Sequence, residues 1–215
     1  MKEENKNQKE ERKLTKAEER RKEKFEIIRK EMLSKGYKET DLTITVLYAN
    51  VMAIVTAIPF VILFGLLFYF TGHSFDLNIG TIGRFVIAIV FLASIVIHEG
   101  IHGLFWGIFA KNHFKDIEFG FITEYLTPYC TCKSPLNKAQ YIIGGIMPTV
   151  ILGIIPCIVA VCIGYAPVLY FGLIMIWAGG GDMTILLNIL KNKFKGKEVL
   201  FLDHPYECGT VVFEK

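Results

Sequence analysis

Residues 85–110 read FVIAIVFLASIVIHEGIHGLFWGIFA, an apolar run that nevertheless holds His98, Glu99 and His102. At 1.5 Å of rise per residue, about 20 apolar residues match a hydrocarbon core of ~30 Å. A helix of this composition has no solvated face, so it predicts a membrane-embedded fold, and its ionisable groups need a reason to be there. Working outward, Val46 to Phe70 is a run of 25 residues without a charge, and Tyr141 to Leu190 is a longer one in which Asp182 is the only charged side chain. Gly164, Tyr165, Ala166 and Pro167 break the latter near its middle, which predicts two spans joined by a tight turn. The expected fold is an all-α integral membrane protein whose unit over 44–190 has four transmembrane helices, about 46–70, 85–110, 141–163 and 167–190.

The charges are segregated as this architecture requires. The chain is 52% hydrophobic, yet 14 of its 24 Lys and Arg lie in residues 1–45. The remaining segments between spans carry 1 (71–84), 4 (111–140), 0 (164–167) and 5 (191–215), so the basic loops alternate with poor ones. Cytoplasmic loops retain Lys and Arg, which places both termini and the 111–140 loop on the cytoplasmic side of the cell membrane and agrees with an even number of spans. No cleaved signal is expected, because the first apolar run begins only near residue 46. Five cysteines without a Cys-x-x-Cys pair imply no disulfide framework.

Residues 1–43 read as a charged cytoplasmic helical arm. Thr15 and Glu18 have capping-box spacing, Phe25, Ile28 and Met32 share a face, and Gly36 is a natural stop. Acids are interleaved with bases throughout the arm, which favours a solvated helix with a frayed start and argues against nucleic acid as a partner. The cytoplasmic loop carries alternating residues around Lys115 to Gly120 and β-favouring ones at Tyr125, Thr127, Tyr129 and Thr131, predicting a small β-hairpin or strand. The tail, 191–215, holds two short strand-like pieces, Val199 to Leu202 and Thr210 to Phe213, around a turn at Asp203, His204 and Pro205.

Residues 98–102 form His-Glu-x-x-His. One helical turn puts both imidazoles on one face, where they can reach one tetrahedral zinc ion, with Glu99 alongside to hold and deprotonate a water. An isolated acid at mid-bilayer costs about 2.5–3.5 kcal/mol on translocon scales, so two acids and two histidines in the spans point to a shared use. Asp182 fits as the third ligand by depth. Counted back from Lys111 and Lys191, the histidine pair and Asp182 lie about 16 and 13 Å into parallel spans at helical rise. Gly179, Gly180 and Gly181 before it allow close helix approach or local unwinding. His73, His113 and His204 fall in loops or turns and read as solvated, and Cys130 and Cys132 read as structural.

On these residues, together with Thr127, Pro128 and Tyr129 leading to Gly144, Gly145 and Pro148, and on Gly180, Gly181 and Asp182, the chain resembles the uncharacterised bacterial zincin peptidases related to site-2 intramembrane metalloproteases. The resemblance covers most of the region from Val46 to the tail. It implies two histidine ligands, a glutamate general base and an aspartate ligand from a later helix. Met183 stands where better-known members carry Gly, and no Asn-x-x-Pro segment precedes Asp182. The expected function is a zinc-dependent intramembrane or membrane-associated peptidase, acting on a membrane protein or peptide and lodged in the lipid bilayer. The alternative is a metal-binding membrane protein that sequesters a partner without cutting it. Metal transport ranks below both, because the first span has no ionisable residue to line a path.

Overall fold

The computed structural model describes residues 14–77, 79–122 and 127–215. Helix α1 (Lys16–Ser34) is followed by strand β1 (Lys38–Asp41) and two long apolar helices, α2 (Val46–Phe70) and α3 (Thr81–Phe109). A short turn leads into a hairpin, β2 (Ile117–Ile122) with β3 (Thr127–Cys132), and then β4 (Leu136–Asn137). Helix α4 (Lys138–Pro148) continues through a π-helical segment (Thr149–Ile154) into α5 (Ile155–Ile163). After the turn at Gly164 come α6 (Ala166–Ala178), α7 (Gly180–Lys191), β5 (Val199–Asp203) and β6 (Thr210–Glu214).

Three of these helical stretches, Val46–Phe70, Thr81–Phe109 and Lys138–Ile163, are long and apolar enough to cross a membrane. The last expected span is not one straight helix. It is the pair α6 and α7, bent by 51° at Gly179, and it makes a fourth span only if the two are counted together. The outward faces of α2 and α3 are apolar and uncovered, with Leu47 at 75%, Phe70 at 77% and Ile82 at 81% exposure, an arrangement that water would not tolerate but hydrocarbon would. The inward face of α2 is a stripe at helical spacing, Ala49, Ala53, Ala57, Phe64 and Phe68. Its small members let α7 approach until a Cβ on Gly180 would stand 2.4 Å from the Ala53 Cα. At the opposite end from the sheet, His73 Nε2 lies 2.9 Å from the Val161 carbonyl oxygen and ties the α2–α3 connection to the end of α5.

The β-structure is more extensive than the expected hairpin and tail strands. A four-stranded sheet runs in the order β1, β6, β5, β4, with antiparallel pairs such as Thr40 to Val212, Phe201 to Val212 and Leu136 to Phe201. The strand-like pieces of the tail are its two central strands. β1 and β4 were not anticipated, because polar or two-residue segments show no alternation and become strands only as edges of β5 and β6. The β2–β3 hairpin is separate, with Phe119 opposite Cys130 and Ile117 opposite Cys132. Tyr125, expected in that strand, lies outside the described residues.

The arm helix differs from a solvated one. The capping box at Thr15 and Glu18 forms, but Phe25 is buried with Leu202, Val211 and Phe213 of the sheet, and Ile28 and Met32 pack beside it. Arg21 stacks 4.3 Å from the Tyr129 ring centroid and Arg20 reaches Glu118 at 3.5 Å, so α1 grips both the sheet and the hairpin. The frayed start expected for the arm lies outside the described residues.

One carboxylate joins these layers. Asp203 at the end of β5 accepts the Tyr141 hydroxyl from α4 at 2.6 Å and the Cys132 backbone N–H from β3 at 2.8 Å. Burial raises its carboxyl above the ordinary value, against those two bonds, which pull it down. A folded-state value above the unfolded one means that this group's contribution is full below the unfolded value and is lost as pH rises through the folded one. Thermal melts from acid to neutral pH should therefore show a declining component that Asp203→Asn removes. Asp203→Ala should cost roughly 2–4 kcal/mol, because two partners lose their acceptor at once. An unchanged melt in Asp203→Ala would contradict this role.

Candidate metal centre

The site forms where α3 meets the bend between α6 and α7. His98 and His102, one turn apart on α3, are both buried, at 7% and 3% exposure. The Gly179 break ends α6 and starts α7 in a new direction, so Asp182 sits in the first turn of α7 and faces the two imidazoles. Glycine is needed at the break, since a Cβ on Gly179 would meet Thr149 Oγ1 at 2.4 Å and His98 Cε1 at 3.4 Å. Gly180 supplies the close contact with α2, so the glycine run serves packing and direction together.

Asp182 Oδ2 lies 3.1 Å from His98 Nε2 and 3.3 Å from His102 Nε2. One ligand atom from each of the three residues falls within 4.8 Å of the others, the one metal-compatible group of this kind among the described residues. Four ligands at about 2.0–2.1 Å from a tetrahedral zinc stand ~3.3 Å from one another, which is close to both of these separations.

The tautomer of His102 tests whether a cation fits. Its Nδ1 is 2.8 Å from the Gly144 carbonyl oxygen, which can only accept, so Nδ1 carries the hydrogen. In the neutral ring Nε2 then presents a lone pair toward the Asp182 carboxylate at 3.3 Å. Two acceptors hold this separation only with a positive charge between them, a proton or a metal ion. A metal-bound histidine tied through its other nitrogen to a backbone carbonyl has this same arrangement.

Further residues fix the ring. Trp106 stacks on His102, with centroids 4.9 Å apart and planes at 16°, and its indole N–H donates to the Tyr141 carbonyl at 3.2 Å. The Trp106 ring fills the space where a side chain at 144 would be, 2.0 Å from an ideal Cβ there. Gly144 thus accommodates the indole and offers its carbonyl to His102. Glu99 is half-buried on the side of α3 that faces the hairpin, within hydrogen-bonding reach of the Cys130 backbone N–H. The hairpin itself rests on α3 at Gly103, where a Cβ would stand 2.5 Å from Phe119 Cζ.

The other histidines stay apart from this group. His73 is at the far end of the bundle, His113 is exposed in a turn at φ 52°, and His204 accepts the Glu207 backbone N–H at 2.9 Å. Cys130 and Cys132 are buried free thiols on β3, and burial pushes the Cys132 thiol up to about 12, which keeps it protonated. Sequence reasoning missed Trp106, Tyr141, Asp203 and the carbonyl role of Gly144. The His102 to Trp106 spacing of one helical turn was the one available signal for the ring stack.

No curated protein and no solved structure matches the chain. Residues 91–195, which hold His98, Glu99, His102 and Asp182, match the family model described as "Putative zincin peptidase", and it is through this segment, just under half of the chain, that the protein is similar to that family.

Proposed function

We propose that the chain is a zinc-dependent peptidase embedded in the membrane, similar in its chemistry to site-2 intramembrane proteases. His98, His102 and Asp182 are the metal ligands and Glu99 is the general base. The observation that carries this reading is the pair of facing acceptors, His102 Nε2 and Asp182 Oδ2, 3.3 Å apart with His102 Nδ1 already committed to Gly144. Similarity to a zincin family favours zinc over other divalent ions.

When bound, zinc supplies the Lewis acidity that brings the pKa of a water toward about 7 and polarises a scissile carbonyl. Glu99 would act as general base toward a water held there and pass the proton to the leaving amine, with the Cys130 amide near its carboxylate on the hairpin side. A substrate helix hides its carbonyls in its own ladder, so it must unwind before it reacts. The hairpin edge formed by β3 runs past Glu99 and accepts the unwound segment as an added strand, up to Cys132, whose N–H is held by Asp203.

The Lys and Arg distribution supports cytoplasmic termini and a cytoplasmic hairpin, with α6 and α7 counted together as the fourth span. Water then enters from the hairpin side, and the Asp182 side chain is 30% exposed. Detergent-purified protein should cleave unfolded or transmembrane peptides, stop when a chelator strips its metal and resume when zinc is returned. Cleavage that continues undiminished after complete stripping would sink the proposal.

A further inference from the structure

At the hairpin end of the bundle, the start of α4 and the segment after α7 enclose an open groove of about 1000 Å³ lined by Lys138, Lys193, Phe194, Lys195, Lys197 and Glu198. Four lysines and one glutamate line it, and the Glu214 carboxylate lies beside it, accepting the Lys195 backbone N–H at 3.1 Å. Glu198 also lies near Tyr37, whose phenol it raises above the ordinary value. None of the four lysines has an ion-pair partner among the described residues, although Glu118, Glu31 and Glu39 each hold a cation on the same side of the molecule. Lys138 is instead held over the Phe194 ring, 5.6 Å from its centroid, and Phe194 is itself fixed edge-on to Phe201 of the sheet.

The groove's height matters as much as its charge. Lys138 is the first residue of the third apolar stretch and Leu190 lies at the end of α7, so its floor coincides with the ends of two apolar helices. A ligand seated there has anionic groups beside the lysines and apolar chains beside the bundle. Basic pockets between helices on the cytoplasmic side suit the head groups of acidic lipids in this way.

We propose that this groove binds the head group of an anionic phospholipid of the leaflet that surrounds it. The proposal rests on the membrane placement given above and is independent of zinc and of peptidase activity. The lipid phosphate pairs with the four lysines, the Phe194 ring lies against the glycerol region, and the acyl chains run down α4 and α7. Because α7 carries Asp182 at its other end, the bound lipid also steadies the helix that completes the metal centre.

The test is native mass spectrometry of the full chain in neutral detergent. It is titrated with phosphatidylglycerol, with phosphatidylcholine of the same acyl chains, and with glycerol 3-phosphate as a soluble bearer of the same group. A charge-removal variant of the groove (Lys138→Gln, Lys193→Gln, Lys195→Gln, Lys197→Gln) is compared with one of the arm (Lys16→Gln, Lys24→Gln, Lys30→Gln, Lys35→Gln), both checked for wild-type melting. Phosphatidylglycerol should be retained roughly ten- to hundredfold more tightly than phosphatidylcholine, with the difference lost in the groove variant and kept in the arm variant. Equal retention of the two lipids, or equal loss in both variants, would overturn it. Glycerol 3-phosphate binding as tightly as the lipid would assign the groove to a soluble phosphate instead. Release of the chain by carbonate extraction of membranes would remove the placement and the proposal together, whereas failed lipid selectivity with a carbonate-resistant chain would remove the proposal alone.

Discussion

Glu99→Gln should lower peptide cleavage about 10²–10⁴-fold while leaving zinc content at the wild-type level. The substitution keeps the size of the side chain and its acceptor oxygen, so the contact with the Cys130 amide survives. It removes only the capacity to take up a proton. Since Glu99 is not among the three groups that converge on a common point, metal affinity has no reason to fall. Cleavage of a quenched-fluorophore peptide library in detergent, with elemental analysis of the same samples, measures both quantities. A protein that sequesters a partner without cutting it should behave in cells as if the residue had not changed, so retained cellular activity in Glu99→Gln would favour that reading.

The second large effect is on the metal itself. Wild-type protein should contain close to one zinc per chain, and Asp182→Ala or His102→Ala should reduce it to background. A three-ligand site that loses one ligand keeps two imidazoles, or one imidazole and one carboxylate, and falls below the coordination that zinc sites maintain. The two variants should differ in stability. Asp182→Ala removes a partly buried group at a helix start, whereas His102→Ala also removes the ring that stacks on Trp106 and bonds to Gly144. Added zinc should therefore raise the melting temperature of the wild type and of neither variant, with His102→Ala starting lower. Zinc retained at one per chain in both variants would place the metal elsewhere.

How much of this was legible in the sequence follows from the range of each interaction. His98, Glu99 and His102 are one turn apart, so helical periodicity alone brings them to one face. Asp182 is 84 residues from His98, but equal depth in parallel spans brought it within reach by geometry. Gly179 to Gly181 signalled a departure from regular helix, and the 51° bend is what that departure became. The supports of the site were not legible. Gly144 acts through its carbonyl, and a carbonyl has no residue signature. Asp203 reads as a turn residue until β5 is placed beside β3 and α4. Phe25, Ile28 and Met32 of the arm helix share a face as their spacing predicts, but its partner is a sheet whose strands lie before, among and after the apolar helices in sequence, so nothing local distinguishes it from a solvated helix.

That sheet sets an order of events during synthesis. The strand at 210–214 lies between the strands at 38–41 and 199–203, so the middle of the sheet is synthesised after every apolar helix. Until then the first strand has no neighbour, the arm has no surface to dock on, and the carboxylate that steadies the hairpin is not anchored. A nascent chain therefore holds its histidines and its aspartate before the sheet that seats the arm helix can close.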